Sequence, residues 1–217
     1  MAGKKSKLGD LWALNCMSAM FEPQILMDLS EHGMFIAQLY GSTETTGGGL
    51  INFAHDAKHI GAIGKPDGHC EIKLDNGEIC MRGGDVMLGY YKDPKGTAEV
   101  IDAEGWFHTG DLARVDEDGY YFLTGRKKNV IILDSGENVS PEELEGLLEK
   151  CPAVKECLVK EKGKKICAVV CCEEADQQTV RDFITETNRT LPLYKRISAV
   201  EFSAQPLPRN AMGKLVR

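Results

Sequence analysis

The sequence of 217 residues has no excess of positive charge, because 26 Lys and Arg residues face 33 Asp and Glu residues. The formal net charge at pH 7 is therefore −7. Proteins that bind polynucleotides carry a basic surface that displaces counterions from the phosphate backbone. We therefore expect no nucleic-acid partner.

Long apolar runs are also missing, and none of those present would reach across a bilayer, so no transmembrane segment is expected. Hydrophobic residues still make up 42% of the chain and charged residues 27%, which is ordinary for a soluble globular protein with a sizeable core. Three lysines precede an apolar stretch near Met1, as in a signal peptide. However, Asp10 and Asn15 interrupt that stretch and no A-x-A cleavage site follows, so secretion is not expected.

The eight cysteines include no CxxC pair, and their spacing is irregular. Several lie inside apolar runs such as ICAVVCC at 166–172, where burial of the thiols is expected. This usage is typical of free thiols in a reducing compartment rather than of a disulfide framework. We therefore predict a cytoplasmic protein.

Histidine is scarce, with five residues in the chain. His55 and His59 are one helical turn apart and could contribute two ligands to a zinc site. No third ligand of suitable type is evident in the sequence around them, so zinc binding is not expected.

The first region of the chain predicts a β-α-β unit. The apolar runs LWALNC (11–16) and MFIAQLY (34–40) predict buried strands, and EPQILMDLSEHG between them has apolar residues at helical spacing, closed by Gly33. Such units build parallel sheets, whose ligands bind beyond the carboxyl ends of the strands. The loop after the second strand is therefore a candidate binding loop.

The pattern changes near residue 61 to short strands separated by turn signals. HCEIKLDNGEICMRG predicts a hairpin around Asp75–Gly77, and LARVDEDGYYFLTG predicts another around Glu117–Gly119. From about residue 128 we expect a strand at NVIILD, a helix at SPEELEGLLEK, a hairpin at CLVKEKGKKICAVVCC, a helix at DQQTVRDFITETNRT and a strand at ISAVEFS. Ser140 is the expected N-cap of the first of these helices, with Pro141 at its first position and Glu143 completing a capping box.

These patterns predict a fold of the α/β plus α+β class with two domains. Residues 1–127 would form the first domain and residues 128–217 a smaller second one. No long linker separates them, so the boundary at 126–128 is expected to be a tight hinge.

The loop LYGSTETTGGG, residues 39–49, combines hydroxyls, glycines and one carboxylate. Glycines let backbone N–H groups approach a phosphate, threonine hydroxyls can donate to its oxygens, and the carboxylate of Glu44 can hold Mg²⁺ beside it. The alternative is a polar loop that uses its Thr and Glu side chains to cap a helix. The motif alone leaves both interpretations open.

Three further stretches carry polar groups that fit a nucleotide pocket. GWFHTGD (105–111) ends in Asp111, whose carboxylate could accept hydrogen bonds from ribose hydroxyls or could simply lie in a turn between strands. GRKKNVII (125–132) leads into DSGENVSPEELE (134–145). LPRNAMGK (207–214) ends in Lys214, which could also be an ordinary solvated charge.

In this order, the four stretches resemble the later core motifs of the adenylate-forming superfamily, which includes acyl- and aryl-CoA synthetases, firefly luciferase and peptide-synthetase adenylation domains. The resemblance extends over nearly the whole chain from about residue 11, and GEICMRG (77–83) and VMLGYY (86–91) also resemble segments of that family. The stretch GRKKNVIILDSGENVSPEELE is most similar to long-chain fatty acyl-CoA ligases. The implied activity joins a carboxylic acid, expected to be a fatty acid, to coenzyme A through an acyl adenylate made from ATP.

The resemblance also implies a fold and a nucleotide site. The fold would be the end of a β-α-β sheet unit and an antiparallel β subdomain of a large domain, followed by a small, mobile α+β lid domain. Tyr40 would pack beside the adenine, Thr43 would bond the α-phosphate and Glu44 would support Mg²⁺. Asp111 and Arg126 would hold the ribose hydroxyls of ATP or AMP. The other residues of the first motif expected at the nucleotide are Gly41 and Ser42.

Catalysis is expected from Lys214 together with Thr43 and Glu44. By resemblance, Lys214 would bridge the substrate carboxylate and the α-phosphate as negative charge builds there. Gly136 would line the tunnel for the coenzyme A thiol, where a side chain would block the pantetheine arm. A rotation of the small domain about Lys128 would exchange Lys214 and Gly136 at one active site.

The sequence departs from the family at two places. The loop rich in glycine, serine and threonine that grips the β- and γ-phosphates is absent, as is an upstream aromatic or histidine motif. We therefore expect the carboxy-terminal part of a longer ligase, inactive alone and prone to self-association through the strands at 11–16 and 34–40. In addition, Met17 and Met20 stand where the family has glycine and proline, and they could crowd the adenine.

Two alternatives remain open at this point. The chain could be a shortened, non-catalytic paralogue that binds AMP or a second chain through its half-built sheet. It could also belong to an adenylation domain that loads a carrier protein instead of free coenzyme A.

Overall fold

The computed structural model describes residues 13–17, 23–53, 56, 58–210 and 215–216. The chain forms two compact units, Met1–Leu123 and Thr124–Arg217. This division lies a few residues before the hinge expected at 126–128. The assignment of residues 1–127 and 128–217 to two domains stays a prediction.

The first unit opens with the predicted β-α-β arrangement. The helix α1 (Pro23–Glu31) connects two strands that pair in parallel, β1 (Ala13–Cys16) and β2 (Phe35–Tyr40). Two short antiparallel strands, β3 (Leu50–Asn52) and β4 (Lys65–Pro66), extend the sheet in the order β1-β2-β3-β4. The carboxyl end of β2 therefore leads directly into the loop at residues 41–49.

The apolar spacing in α1 reflects burial of one helix face. Leu26 packs with Met34 and Ile36 in a small buried cluster. Gly33 follows the helix with a φ of +77°, the left-handed backbone that glycine adopts readily at a helix end. Both observations confirm the predicted helix and its closing residue. At the edge of this region the exposed Phe35 and Phe53 rings stack with centroids 5.6 Å apart.

A second four-stranded sheet follows in the order β5-β6-β7-β8. Its strands are β5 (Cys70–Asp75), β6 (Glu78–Gly83), β7 (Phe107–Val115) and β8 (Tyr121–Arg126), and the helix α2 (Pro94–Val100) precedes β7. Asn76 and Gly77 turn between β5 and β6 with φ values of 49° and 85°, as a type I′ hairpin requires. Both predicted hairpins are confirmed. The buried core of this region consists of Leu50, Ile63, Ile79, Met81, Ala113 and Tyr121.

An ion cluster centred on His59 ties the segment before β4 to the β7–β8 turn. The His59 ring nitrogens lie 3.0 Å from the carboxylates of Asp56 and Asp118, and the ring stacks on Tyr120. The bond to Asp56 is the main cause of a raised pKa of His59. Lys58 adds an ammonium group that contacts Asp118.

The expectation that no third residue of ligand type lies near His59 was wrong. Asp116 and Asp118 belong to a turn that lies far along the chain, and only the tertiary fold brings their carboxylates to the imidazole. His55, the other histidine of the pair, lies outside the described residues.

The second unit is an α+β structure built on a three-stranded sheet in the order β11-β12-β13. The predicted hairpin is confirmed as β11 (Glu156–Lys162) and β12 (Lys165–Cys171), and β13 (Ala199–Ser203) pairs with β12 in parallel. Two predicted helices are present, α3 (Pro141–Leu148) and α4 (Gln177–Thr190). The strand expected at NVIILD is limited to β9 (Ile131–Ile132), which pairs with β10 (Asn138–Val139).

One continuous core holds the second unit together. It draws apolar side chains from the two helices and from one face of the sheet. Its buried members include Ile131, Val139, Leu144, Leu148, Cys157, Val159, Val170, Cys172, Val180 and Ile184.

The start of α3 differs from the prediction in one respect. Ser140 and Pro141 occupy the expected N-cap and first positions, but the capping box with Glu143 is wrong. Ser140 Oγ donates instead to the Thr124 carbonyl oxygen at 2.5 Å, and Glu143 accepts hydrogen bonds from Lys195. The hydroxyl therefore fastens α3 to the chain segment before it rather than to its own first turn.

The cysteines behave as the sequence predicts. All eight are free thiols, and only Cys16 and Cys70 are not fully buried. Cys171 and Cys172 are adjacent in sequence but pack into different apolar clusters. In the described part of the chain, no helix has the length and apolar character needed to cross a membrane.

Replacing His59 with Gln should lower stability in a pH-dependent way. A histidine whose pKa is raised on folding stabilises the protein fully below its unfolded pKa of 6.5, and the contribution is lost as the pH rises through the folded pKa. The lowered pKa values of Asp56 and Asp118 keep these partners ionised in mild acid. We expect the melting temperature of His59→Gln to fall furthest below wild type in mild acid and to approach it in alkali.

Thermal unfolding followed by circular dichroism across this pH range measures the effect. His69→Gln changes an exposed histidine of the same unit and serves as the control. A deficit of His59→Gln that stays constant with pH would contradict the ionic role of the cluster.

Candidate functional site

The loop after β2 is folded by a close approach of its own backbone. A Cβ atom added to Gly41 would lie 2.6 Å from the backbone carbon and oxygen of Gly47, so only glycine fits there. Thr46 and Gly47 then adopt left-handed backbone with φ values of 56° and 80°. The chain thereby reverses and enters β3.

Thr45 holds the interior of this loop. Its side chain is fully buried, and its Oγ1 accepts a hydrogen bond from the Ser42 N–H at 2.9 Å and lies 2.9 Å from the Gly48 carbonyl oxygen. The capping interpretation of the motif is thus partly right, because residues 43–45 form a single 3₁₀ turn that Thr45 braces. Thr43 is exposed and makes no hydrogen bond through its side chain with the described residues. Its hydroxyl is available to a ligand.

Glu44 is held by the segment that follows β6. Its carboxylate accepts a hydrogen bond from the Tyr90 hydroxyl at 2.9 Å, and its backbone carbonyl accepts one from the Met87 N–H at 2.7 Å. The bond to Glu44 raises the pKa of Tyr90, because ionisation of the phenol would set two negative charges side by side. Sequence reasoning missed Tyr90 as a partner, although it lies in the VMLGYY segment of the resemblance.

Tyr40 and Asp111 are brought together although they are far apart in the sequence. The Tyr40 hydroxyl donates to Asp111 Oδ2 at 2.8 Å. Asp111 is 9% exposed, so its carboxylate is largely removed from water. The bond joins the end of β2 in one sheet to β7 in the other, and it places the first and second motifs at one site.

Asp111 lies in a bulge of β7 and not in a turn between strands. Glu78 of β6 pairs with Leu112 and Cys80 pairs with His108, so the three residues 109–111 face Ile79 alone. Thr109 Oγ1 compensates for the interrupted ladder, since it donates to the Ile79 carbonyl at 2.8 Å and accepts the Asp111 N–H at 3.1 Å. The bulge turns the Asp111 side chain toward Tyr40.

The remaining expected site residues belong to the second unit. Arg126 ends β8, and Lys128 lies in a 3₁₀ turn at residues 127–129. Gly136 has a φ of +91° in the turn between β9 and β10, and an added Cβ would meet no atom within 4 Å. Lys214 lies outside the described residues. The roles expected of these four residues stay predictions.

The donor groups in the first loop fit the metal that the resemblance implies. Thr43 offers an exposed hydroxyl and Glu44 a carboxylate, both oxygen donors of the kind that Mg²⁺ prefers. Mg²⁺ usually takes one or two protein carboxylates and completes its shell with phosphate oxygens and water. Glu44 beside a bound phosphate would satisfy that requirement.

Two family models match the chain. The model described as AMP-binding enzyme matches residues 1–91, and the model described as AMP-binding enzyme C-terminal domain matches residues 128–217. Among curated proteins, a feruloyl-CoA synthase of an Amycolatopsis species is 33% identical over 99% of this chain and 46% of its own length. A long-chain-fatty-acid–CoA ligase of Mycobacterium bovis is 42% identical over 58% of this chain and 21% of its own length.

Solved structures of CoA ligases are also similar to this chain. o-Succinylbenzoate-CoA synthetase from Bacillus subtilis, in complex with its acyl-adenylate intermediate, superimposes with a TM-score of 0.79 at 29% identity. The match covers 94% of this chain and 44% of that protein. The chain therefore spans less than half the length of this synthetase and of the feruloyl-CoA synthase. The anthranilate-CoA ligase AuaEII in complex with anthranoyl-AMP has a TM-score of 0.76 at 28% identity. Because both family models and these structures agree, the chain belongs to the adenylate-forming family of AMP-binding enzymes.

Proposed function

We propose that this chain is the carboxy-terminal part of an AMP-forming acyl-CoA ligase. Such an enzyme joins a carboxylic acid to the α-phosphate of ATP with release of pyrophosphate, and the thiol of coenzyme A then displaces AMP from the acyl adenylate. The observation that carries the proposal is the 2.8 Å bond between Tyr40 and Asp111. It brings the end of β2 against the bulge of β7, where an adenosine would lie across them.

The Asp111 carboxylate has the chemistry to bind the ribose. A carboxylate oxygen accepts hydrogen bonds from vicinal hydroxyls, and such charge-assisted bonds are about twice as strong as neutral ones. The bond from Tyr40 fixes the orientation of the carboxylate before a ligand arrives. The Tyr40 ring is proposed to pack beside the adenine. Arg126 is proposed as the second ribose ligand.

The first loop would bind the α-phosphate. Thr43 presents an exposed hydroxyl, and the backbone of Gly41 and Ser42 lies next to it. Glu44, fixed by Tyr90, would hold Mg²⁺. When bound, the ion neutralises phosphate charge that would otherwise repel the incoming carboxylate.

The second unit would supply the mobile part of the enzyme. Lys214 is proposed to stabilise the charge that builds on the α-phosphate during adenylation. Gly136, which has open space around its Cα, is proposed to admit the pantetheine arm in the thioester step. Rotation about Lys128 would alternate the two residues at the active site.

The substrates follow from the relatives rather than from the described site. Their printed names include feruloyl-CoA synthase and long-chain-fatty-acid–CoA ligase, which favours free coenzyme A as the acceptor over a carrier protein. We propose a fatty acid as the carboxylic substrate, because the GRKKNVIILDSGENVSPEELE stretch resembles the fatty acyl-CoA ligases. The free thiols support a cytoplasmic enzyme.

Asp111→Asn should weaken AMP binding by about tenfold, since a neutral amide is a poorer acceptor for ribose hydroxyls than a carboxylate. Isothermal titration calorimetry with AMP and with 2′,3′-dideoxy-AMP separates the ribose contribution from the rest. Wild type should prefer AMP, and Asp111→Asn should lose most of this preference.

Asp75→Asn, at an exposed aspartate of the β5–β6 hairpin, is the matched control and should bind both nucleotides as wild type does. Failure of wild type to bind AMP at all would overturn the proposed site. An unchanged preference for AMP in Asp111→Asn would overturn the role of Asp111.

The chain of residues 1–217 should not catalyse ATP–pyrophosphate exchange with any fatty or aromatic acid. Its sequence contains no glycine-rich loop for the β- and γ-phosphates, and binding to the α-phosphate alone leaves the leaving group without stabilisation. The exchange of labelled pyrophosphate into ATP, with stearate and with ferulate, measures this, and an intact acyl-CoA ligase is the positive control. Exchange above background would contradict the proposal that the chain is a partial enzyme.

A further inference from the structure

A buried carboxylate lies beneath the bulge that carries Asp111. Glu78 is 4% exposed, and its Oε1 accepts a hydrogen bond from the Gly110 N–H at 2.9 Å. The other carboxylate oxygen, Oε2, lies 3.2 Å from His108 Nδ1. Glu78 therefore contacts the residue immediately before Asp111 as well as the residue at the start of the bulge.

His108 also contacts another carboxylate, that of Asp102. Its Nε2 lies 3.3 Å from Asp102 Oδ2, so the imidazole bridges two carboxylates. Asp102 is itself fixed by the backbone N–H groups of Trp106 and Glu104 at 2.8 and 3.0 Å. These bonds, first of all the one from Trp106, lower the pKa of Asp102 and favour its charged form. We call Asp102, His108 and Glu78 the bulge support.

The free energy needed to bury the Glu78 carboxylate indicates that the carboxylate has a specific role at this position. Removing a carboxylate from water costs several kcal/mol unless charge and hydrogen bonds compensate for the loss. A regular strand pair would use its own ladder bonds and would need no acid at this position. Here Gly110 has a φ of +72°, and its N–H points away from the regular ladder toward the Glu78 side chain.

We propose that Glu78 is a positioning residue for the nucleotide site, acting through Gly110 to hold Asp111 against Tyr40. The inference rests on the proposed function for its ligand, the ribose of an adenosine nucleotide. Glu78 does not touch the ligand. Its carboxylate fixes the Gly110 peptide, the peptide fixes the direction of the next side chain, and that side chain binds the ribose.

The test compares Glu78→Gln with wild type in binding to AMP and 2′,3′-dideoxy-AMP. Replacing the Glu78 carboxylate with an amide weakens the hydrogen bond from the Gly110 N–H. The Asp111 side chain can then turn away from Tyr40. We expect at least about a tenfold loss of affinity for AMP, the usual scale for loss of one charge-assisted bond, and little change for the dideoxy nucleotide. Equal weakening of both ligands would indicate general damage to the fold and would overturn the proposal, as would unchanged affinity for AMP.

Glu71→Gln is the matched control, because Glu71 lies on the adjacent strand and forms an exposed ion pair with Arg82. It should bind both nucleotides as wild type does. His108→Gln is the second variant in case Glu78→Gln does not fold, and it should show the same selective loss to a smaller degree. An unaltered preference of His108→Gln for AMP would then count against the bulge support.

A crystal structure of Glu78→Gln separates this proposal from the proposed function. If wild type binds neither nucleotide, the proposed function fails, and the distance between the Tyr40 hydroxyl and Asp111 decides the positioning role. Separation of this pair in Glu78→Gln supports the role of Glu78. Retention of the 2.8 Å bond overturns it.

Discussion

The hydrogen bond from the Tyr40 hydroxyl to the Asp111 carboxylate is the constraint on which the candidate site depends. It connects the last residue of a parallel strand with a bulged residue of a different sheet. Both partners are more than half buried, so water competes little for their hydrogen bond and the geometry of the pair is maintained. This junction holds the first and second motifs together at the candidate site.

Local patterns predicted most of the fold because local interactions determine those elements. The apolar spacing of α1 and the Asn76–Gly77 turn leave few backbone choices. Hydrogen-bond partners were harder to predict, since they depend on which segments meet in the folded chain. Ser140 has the right side chain for a capping box, but the Thr124 carbonyl lies within reach and takes its hydroxyl. The carboxylates of Asp116 and Asp118 near His59 escaped notice for the same reason.

The candidate site was predictable in its residue types but not in its support. Tyr40, Glu44 and Asp111 stand out because their motifs resemble those of a known family. The bulge in β7 has no comparable signal, since Gly110 permits a left-handed backbone but does not specify the register of the strand pair. Glu78 likewise looks like an ordinary surface acid in the sequence, and only its burial shows that it serves Gly110.

The close approach of the backbone at Gly41 and Gly47 also affects the entropy of ligand binding. Flexible phosphate loops lose conformational freedom when a ligand orders them, and this loss reduces affinity. Here the contact between the two glycines and the bonds of Thr45 restrict the loop during folding. The entropic cost of ordering the loop is therefore carried by the folding reaction, so the proposed nucleotide would meet a surface that already has its final shape.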